Sequence, residues 1–361
     1  NRYSVIDMNL KQFLFYLLLL FTLASCKKEE SKPEPQTLWL AVPANFPPVN
    51  NMTSNPLTKE GVELGRRLFY DKRLSGNNRI SCASCHQQQL AFTDGVALNS
   101  IGASGKLLHR NAPALINLAW VNNGLFWDGG STNLESLAFA PLTHPDEMHQ
   151  ELFQLIDELK AIPDYVQRFR FVFNDTEIKT GYIAKALAQF QRTLISSDSK
   201  YDRYHRSEQQ VQLSPIEQQG LKLVQSKCGG CHSGELFTDN LFHNNGLDAD
   251  FSNASNDGLF QGRFRVTQNP ADLGKYRTPT LRNVLFTAPY MHDGRFATLE
   301  DVLQHYASGV RYSATVDPLV LQQGGMPGIS INEEEKRSII TFLRTLSDSS
   351  FIRNRQFSNP F

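Results

Sequence analysis

SCASCHQQQLAFTDG (residues 81–95) and KCGGCHSGELFTD (residues 227–239) decide how the rest of the chain is read. Each holds a Cys-x-x-Cys-His pentapeptide followed by Phe-Thr-Asp, at residues 92–94 and 237–239, and four of the chain's five cysteines lie in these two places. Two thiols followed at once by a histidine form the c-type haem attachment pattern, in which both sulfurs become thioethers and the imidazole ligates iron. Zinc would need four ligands at each site, and each cluster offers only three, packed too tightly to close a tetrahedron. The expectation is two covalent haems c, one on Cys82, Cys85 and His86 and one on Cys228, Cys231 and His232.

Working outward, the amino end explains the fifth cysteine. Starting at Met8, the chain has Lys11, an apolar stretch over residues 13–23 and the ending Leu23-Ala24-Ser25-Cys26, which reads as a secretory signal closing on a bacterial lipobox. The apolar stretch falls short of the ~20 residues that a membrane span needs. Residues 1–26 are therefore expected to be a lipoprotein signal, with Cys26 lipidated and the protein anchored to a membrane in the periplasm or cell envelope. Residues 27–56, polar and carrying six prolines, read as a tether. The 36 basic and 36 acidic residues balance, so no broad basic field marks nucleic acid as a partner.

Beyond the tether, two stretches share one grammar. TKEGVELGRRLFYD, from Thr58, leads into the first pentapeptide, and SPIEQQGLKLVQ, from Ser214, leads into the second. Ser214, Pro215 and Glu217 match a capping box with proline in the first helical turn. GYIAKALAQFQRTLI aligns Ile183, Leu187, Phe190 and Leu194 on one stripe, read as core. NEEEKRSIITFLRTL opens with Asn332 as cap, and its Ile339, Ile340, Leu343 and Leu346 are expected to pack on the second haem domain. The fold expected is mainly α: two cytochrome c-like haem domains with long loops, over residues 57–205 and 206–361, arising by tandem duplication.

The order of CxxCH, RNAP (110–113), FWDG (126–129), PxxxxxEM (141–148), CxxCH, TPTLRN (278–283) and PYMHDG (289–294) resembles the bacterial dihaem cytochrome c peroxidase family, which includes the MauG type that oxidises tryptophans of a partner protein. The resemblance spans roughly residues 57–347. It implies a peroxidatic haem in the first domain and an electron-transfer haem in the second. Glu147 matches the distal acid that moves protons during O–O cleavage. Trp127 matches the indole between the haems, and Asn111, Thr287 and Pro289 match calcium ligands.

Two departures matter. Where typical peroxidases carry a distal histidine in a loop like SIGH, this chain has Ala103 in SIGASGKLLHRNAP, with His109 as an alternative ligand. Fourteen positions after His292, where a methionine usually ligates the second iron, stands Tyr306, as in the MauG type, with His305 and Met326 as competitors. Leu137 also replaces a glutamine common in the family. The expected reaction is reduction of hydrogen peroxide with electrons from a small donor protein, a cytochrome c or a cupredoxin, and a homodimer is left open. Oxidation of a partner protein is one alternative. A carrier or redox sensor without turnover is the other.

Overall fold

In the computed structural model of the chain, described over residues 34–49, 53–208 and 210–361, helices and irregular loops make up nearly all of the fold. Among the described residues the regular sheet is one antiparallel pair, β1 (Phe242–His243) with β2 (Tyr276–Arg277), in which Phe242 faces Arg277 and His243 faces Tyr276. Residues 1–33, with the lipobox and Cys26, lie outside the described residues.

Two helix crossings organise the packing, and each starts from a cap written in the sequence. Thr58 Oγ1 accepts the Gly61 amide at 3.0 Å and opens α1 (Lys59–Tyr70). This helix lies on α2 (Thr180–Arg192), whose stripe Ile183, Leu187 and Phe190, continued by Leu194, is at most 1% exposed. In the later part, Glu217 Oε2 accepts the Ser214 amide at 2.7 Å at the head of α3 (Pro215–Leu223). α3 packs on α4 (Glu333–Arg344), where Asn332 Oδ1 accepts the Glu335 amide at 3.0 Å and Glu335 Oε2 accepts the Asn332 amide at 2.9 Å. Both crossings are close enough to require glycine. A methyl at Gly65 would overlap the carbonyl oxygen of Ala186 on α2, and one at Gly220 would overlap that of Ser338 on α4.

Two main apolar clusters follow from these crossings. The first gathers α1, α2 and the helices Leu152–Lys160 and Pro163–Phe173 around Leu68, Phe69, Leu155 and Phe169. The second gathers α3, α4 and helix Leu299–Gln304, with Ile339, Ile340, Leu343 and Leu346 inside it as the periodicity predicts. Pro35–Phe361 nevertheless form one unit. Phe351 and Phe357, at the end of the chain, belong to the first cluster. The stretch read as a tether is laid on the body from Gln36: Lys59 donates its amide to Gln36 O and Leu38 donates its own to Leu57 O, both at 2.9 Å. Farther along it, Trp120 Nε1 donates to Pro47 O at 2.8 Å.

Buried charge is matched inside this unit. Arg282, of the TPTLRN stretch, grips Asp202 with both Nη atoms at 2.8 and 2.9 Å, each residue at most 1% exposed. Left unpaired, either group would face a large desolvation penalty.

Candidate functional site

The Phe-Thr-Asp repeats have a geometric job. After the short helix Cys82–Cys85 the chain turns through left-handed Ala91 (φ 53°) and Phe92 (φ 62°), which aims the Phe92 carbonyl at His86 Nδ1, 2.8 Å away. Phe237 (φ 50°) does the same for His232, with its carbonyl 3.2 Å from Nδ1. A carbonyl can only accept, so Nδ1 carries the proton and Nε2 keeps its lone pair for a metal. The threonines then fasten each turn: Thr93 Oγ1 donates to Ala112 O at 2.5 Å, and Thr238 Oγ1 to Thr278 O at 2.7 Å. RNAP and TPTLRN are thereby drawn against the two attachment sites.

The four thiols carry no disulfide. Burial pushes the Cys82 and Cys85 thiols up to about 12, helped at Cys82 by Cys85 and at Cys85 by Asp94 and at both more weakly by Glu147, and burial with Cys231 beside it pushes Cys228 up to about 11. Among the described residues no three His, Cys, Asp or Glu side chains come together to hold a metal unaided. Paired thiols with one oriented imidazole suit a cofactor that brings its own equatorial nitrogens. Beside the second site lies a cavity of about 530 Å³ lined by Cys228, Cys231 and His232 and by apolar Val224, Leu281, Leu303 and Ile339. That volume is in the range of cofactor pockets, so the residues fit haem c.

Of the three sequence candidates for the far ligand, Tyr306 lines this cavity. Its side chain leaves a wide, π-type turn at His305–Gly309, a distortion that recurs at functional positions. Burial, with Cys231 and Cys228 near, pushes the hydroxyl up to about 12, although Asn245 pulls it down. His305 is buried with Nε2 set 3.0 Å from Asn245 O, and Met326 sits on a loop, 59% exposed. Met291, which the sequence reading did not consider, also lines the cavity. Asn245 Nδ2 is 3.5 Å from both Met291 Sδ and Tyr306 Oη.

Trp127 stands in the wall of the same cavity, buried, with Nε1 donating to Asn111 O at 2.9 Å. Asn111 in turn donates its amide to His292 O at 2.8 Å and its Nδ2 to Val96 O at 2.8 Å, leaving Oδ1 as the acceptor it can offer a cation. Thr287 and Pro289 line the cavity with it, and Thr287 Oγ1 is engaged with Val284 O at 3.1 Å.

Glu147 is half-buried, and its negative charge acts weakly on Cys82 and Cys85. Burial raises its carboxyl above the usual range, opposed by His144 and reinforced by Asp146. Ala103 donates its amide to Glu147 O at 2.6 Å, so the loop in which a distal histidine would stand runs along the Glu147 backbone and has alanine at that position. His109 is exposed, its ring set edge-on to Phe260 at 5.7 Å. Leu137 is buried in the first core.

Sequence reading missed a recurring frame. Leu125 bridges Ser131 around FWDG, and Tyr290 bridges Phe296 around MHDG. Phe126 (φ 64°) and Gly129 (φ 79°) match Met291 (φ 76°) and Gly294 (φ 67°) in backbone shape. The shared Asp-Gly, with a capped Leu-Glu helix start shortly after, was the available signal. Asn117 and Asn283, both left-handed, meet at Ser196: Asn117 Oδ1 accepts its amide at 2.9 Å and Asn283 Nδ2 donates to its hydroxyl at 2.8 Å. Only folding brings those three together.

Residues 59–210 match a family model described as di-haem cytochrome c peroxidase. The chain is 37% identical over 298 residues to the methylamine utilization protein MauG of Methylorubrum extorquens, covering 81% of this chain and 80% of that one. It is 33% identical over 308 residues to the cytochrome c551 peroxidase of Nitrosomonas europaea, covering 84% and 85%. The crystal structure of a MauG-like protein associated with microbial copper homeostasis superposes with a TM-score of 0.80 at 35% identity, over 90% of this chain and 99% of that one. The diheme peroxidase BthA of Burkholderia thailandensis, 21% identical with a TM-score of 0.66, shares the fold.

Proposed function

The chain belongs to the dihaem cytochrome c peroxidase and MauG family, and from that premise we propose that it reduces hydrogen peroxide at the first Cys-x-x-Cys-His site with electrons delivered through the second. It is an oxidoreductase of the peroxidase type carrying haem c. When bound, the irons supply the redox centres, one open to peroxide and one passing electrons. Cys82, Cys85 and His86 hold the first group, and Cys228, Cys231 and His232 the second.

Glu147 handles the protons. Its carboxylate takes the proton from the near peroxide oxygen and returns it to the far one as the O–O bond opens, so that peroxide, two electrons and two further protons leave as two waters. A carboxyl raised by burial holds a proton more readily than a free one, which suits a group that must act as both base and acid. Ala103 would offer the first group no side-chain ligand, Tyr306 would help hold the second, and Trp127, in the wall of the same cavity, would pass electrons. Asn111, Thr287 and Pro289 would hold a calcium ion, to which amide and carbonyl oxygens are suited. The two haem-bearing halves descend from one duplicated unit, a reading supported by the matching histidine turns, glycine crossings and Asp-Gly frames. The protein works exported and anchored through Cys26, drawing on a small cytochrome c or cupredoxin.

The observation that carries the peroxidase reading is a half-buried carboxyl at Glu147, raised by burial, whose negative charge acts on Cys82 and Cys85. Glu147→Gln keeps the shape and removes the proton shuttle. Peroxide turnover with a reduced small donor should fall about 10²-fold or more while the mass of two haems is retained. Wild-type turnover in that variant would refute the assignment.

A further inference from the structure

Arg282, fully buried, and Arg110, half-buried, are each neutralised by one of the chain's own carboxylates. Arg282 has Asp202 at 2.8 and 2.9 Å, and Arg110 has Asp128 at 2.8 Å. Arg277 is the exception. It is 8% exposed, and its guanidinium makes a single hydrogen bond, from Nε to Phe126 O at 3.2 Å. Neither Nη atom has a hydrogen-bond partner or an ion pair among the described residues. No neighbouring charge offsets its burial, which pulls its pKa down to about 10.

An uncompensated buried guanidinium is costly, and proteins keep one where an anion will meet it. Arg277 lines the 530 Å³ cavity that also holds Cys228, Cys231 and His232. It is fixed there on β2 by two backbone constraints, its amide donating to Trp127 O at 2.7 Å and its register opposite Phe242. The missing partner must therefore arrive with whatever fills the cavity. Haem brings two propionate carboxylates, and a guanidinium fork matches a carboxylate through two parallel N–H···O bonds.

We propose that Arg277 is the counter-ion of a propionate of the second haem and that its positive charge, held beside the Trp127 backbone, favours the reduced state of that haem. The proposal rests on the assignment of a haem to Cys228, Cys231 and His232. Its consequence is one of charge: without Arg277 the propionate's negative charge is unopposed and stabilises ferric iron.

The test is a spectroelectrochemical titration of the purified holoenzyme for wild type, Arg277→Met and Arg277→Lys, after mass spectrometry has confirmed two haems in each. At a fixed applied potential, Arg277→Met should lower the reduced-to-oxidised ratio of the second haem at least tenfold, which is 59 mV for one electron. The first haem should move much less. Arg277→Lys, which keeps the charge and loses the fork, should shift the ratio less than threefold. Should Arg277→Met lose haem, Arg277→Gln, polar but uncharged, carries the same comparison. A second-haem ratio unmoved by loss of the charge, or moved equally by Lys and Met, overturns the proposal. A wild-type protein with no haem on Cys228 and Cys231 would instead overturn the assignment beneath it.

Discussion

In the proposed mechanism, Ala103 and Tyr306 are single side chains on which the behaviour of two sites would turn. Ala103 is tied by its amide to Glu147 O, so an imidazole in its place starts beside the proposed peroxide site. Oxidised wild type should show a high-spin first iron by EPR and react with peroxide directly. Ala103→His should convert that signal to low spin and slow the direct reaction at least tenfold until the enzyme is reduced. A wholly low-spin wild-type spectrum would mean that another residue closes the site. The companion variant Tyr306→Met should raise the second haem's potential, since a thioether stabilises ferrous iron more than a phenolate does. An unchanged potential would remove Tyr306 as ligand and bring forward Met291, which shares Asn245 with it. The alanine and the tyrosine are legible as departures in the sequence. Met291 was not, because its neighbour Asn245 is far away along the chain.

Helix ends were legible too, and helix crossings were not. Ser214 and Asn332 cap the helices that the sequence assigns to them, because a cap needs only residues three positions apart. Gly65 and Gly220 read in sequence as weak points inside helices, since alanine is the better helix former by about 1 kcal/mol. In the fold they are contact points, where a methyl would meet a backbone carbonyl that cannot swing aside. Overpacking of this kind typically costs about 1–3 kcal/mol, which outweighs the propensity gain. Gly65→Ala and Gly220→Ala should each lower the thermal midpoint of the holoenzyme. A raised midpoint in either would show that the crossing has room to spare. Chain length separates these glycines from Ala186 and Ser338 by more than a hundred residues, so no local pattern could reveal the contact.

Across the whole molecule, the end of the chain completes the first site. The Phe351 and Phe357 rings lie 5.6 and 6.5 Å from that of Phe92, whose carbonyl orients His86. Tyr70 Oη donates to Phe357 O at 2.7 Å and Gln88 Nε2 to Asn354 O at 2.8 Å. Division of the chain near residue 205 would therefore leave the first core without its closing residues. Phe351→Ala should destabilise the protein by about 3–5 kcal/mol, read as a drop in thermal midpoint. It should also broaden the first haem's EPR signal more than the second's. Equal broadening at both sites would reduce the tail to general stabilisation.

The sequence by itself determined the two attachment motifs, the helix caps, the buried stripes of α2 and α4 and the family to which the motif order points. All of these are patterns carried within short stretches of chain, where spacing fixes geometry directly. Tertiary structure alone decided that Tyr306, rather than His305 or Met326, lines the cavity with His232, that Arg277 meets no carboxylate among the described residues while Arg282 has one, and that Phe351 sits against Phe92. Burial, counter-charges and cavity walls are properties of which distant residues pack together, and that depends on how the whole chain closes on itself.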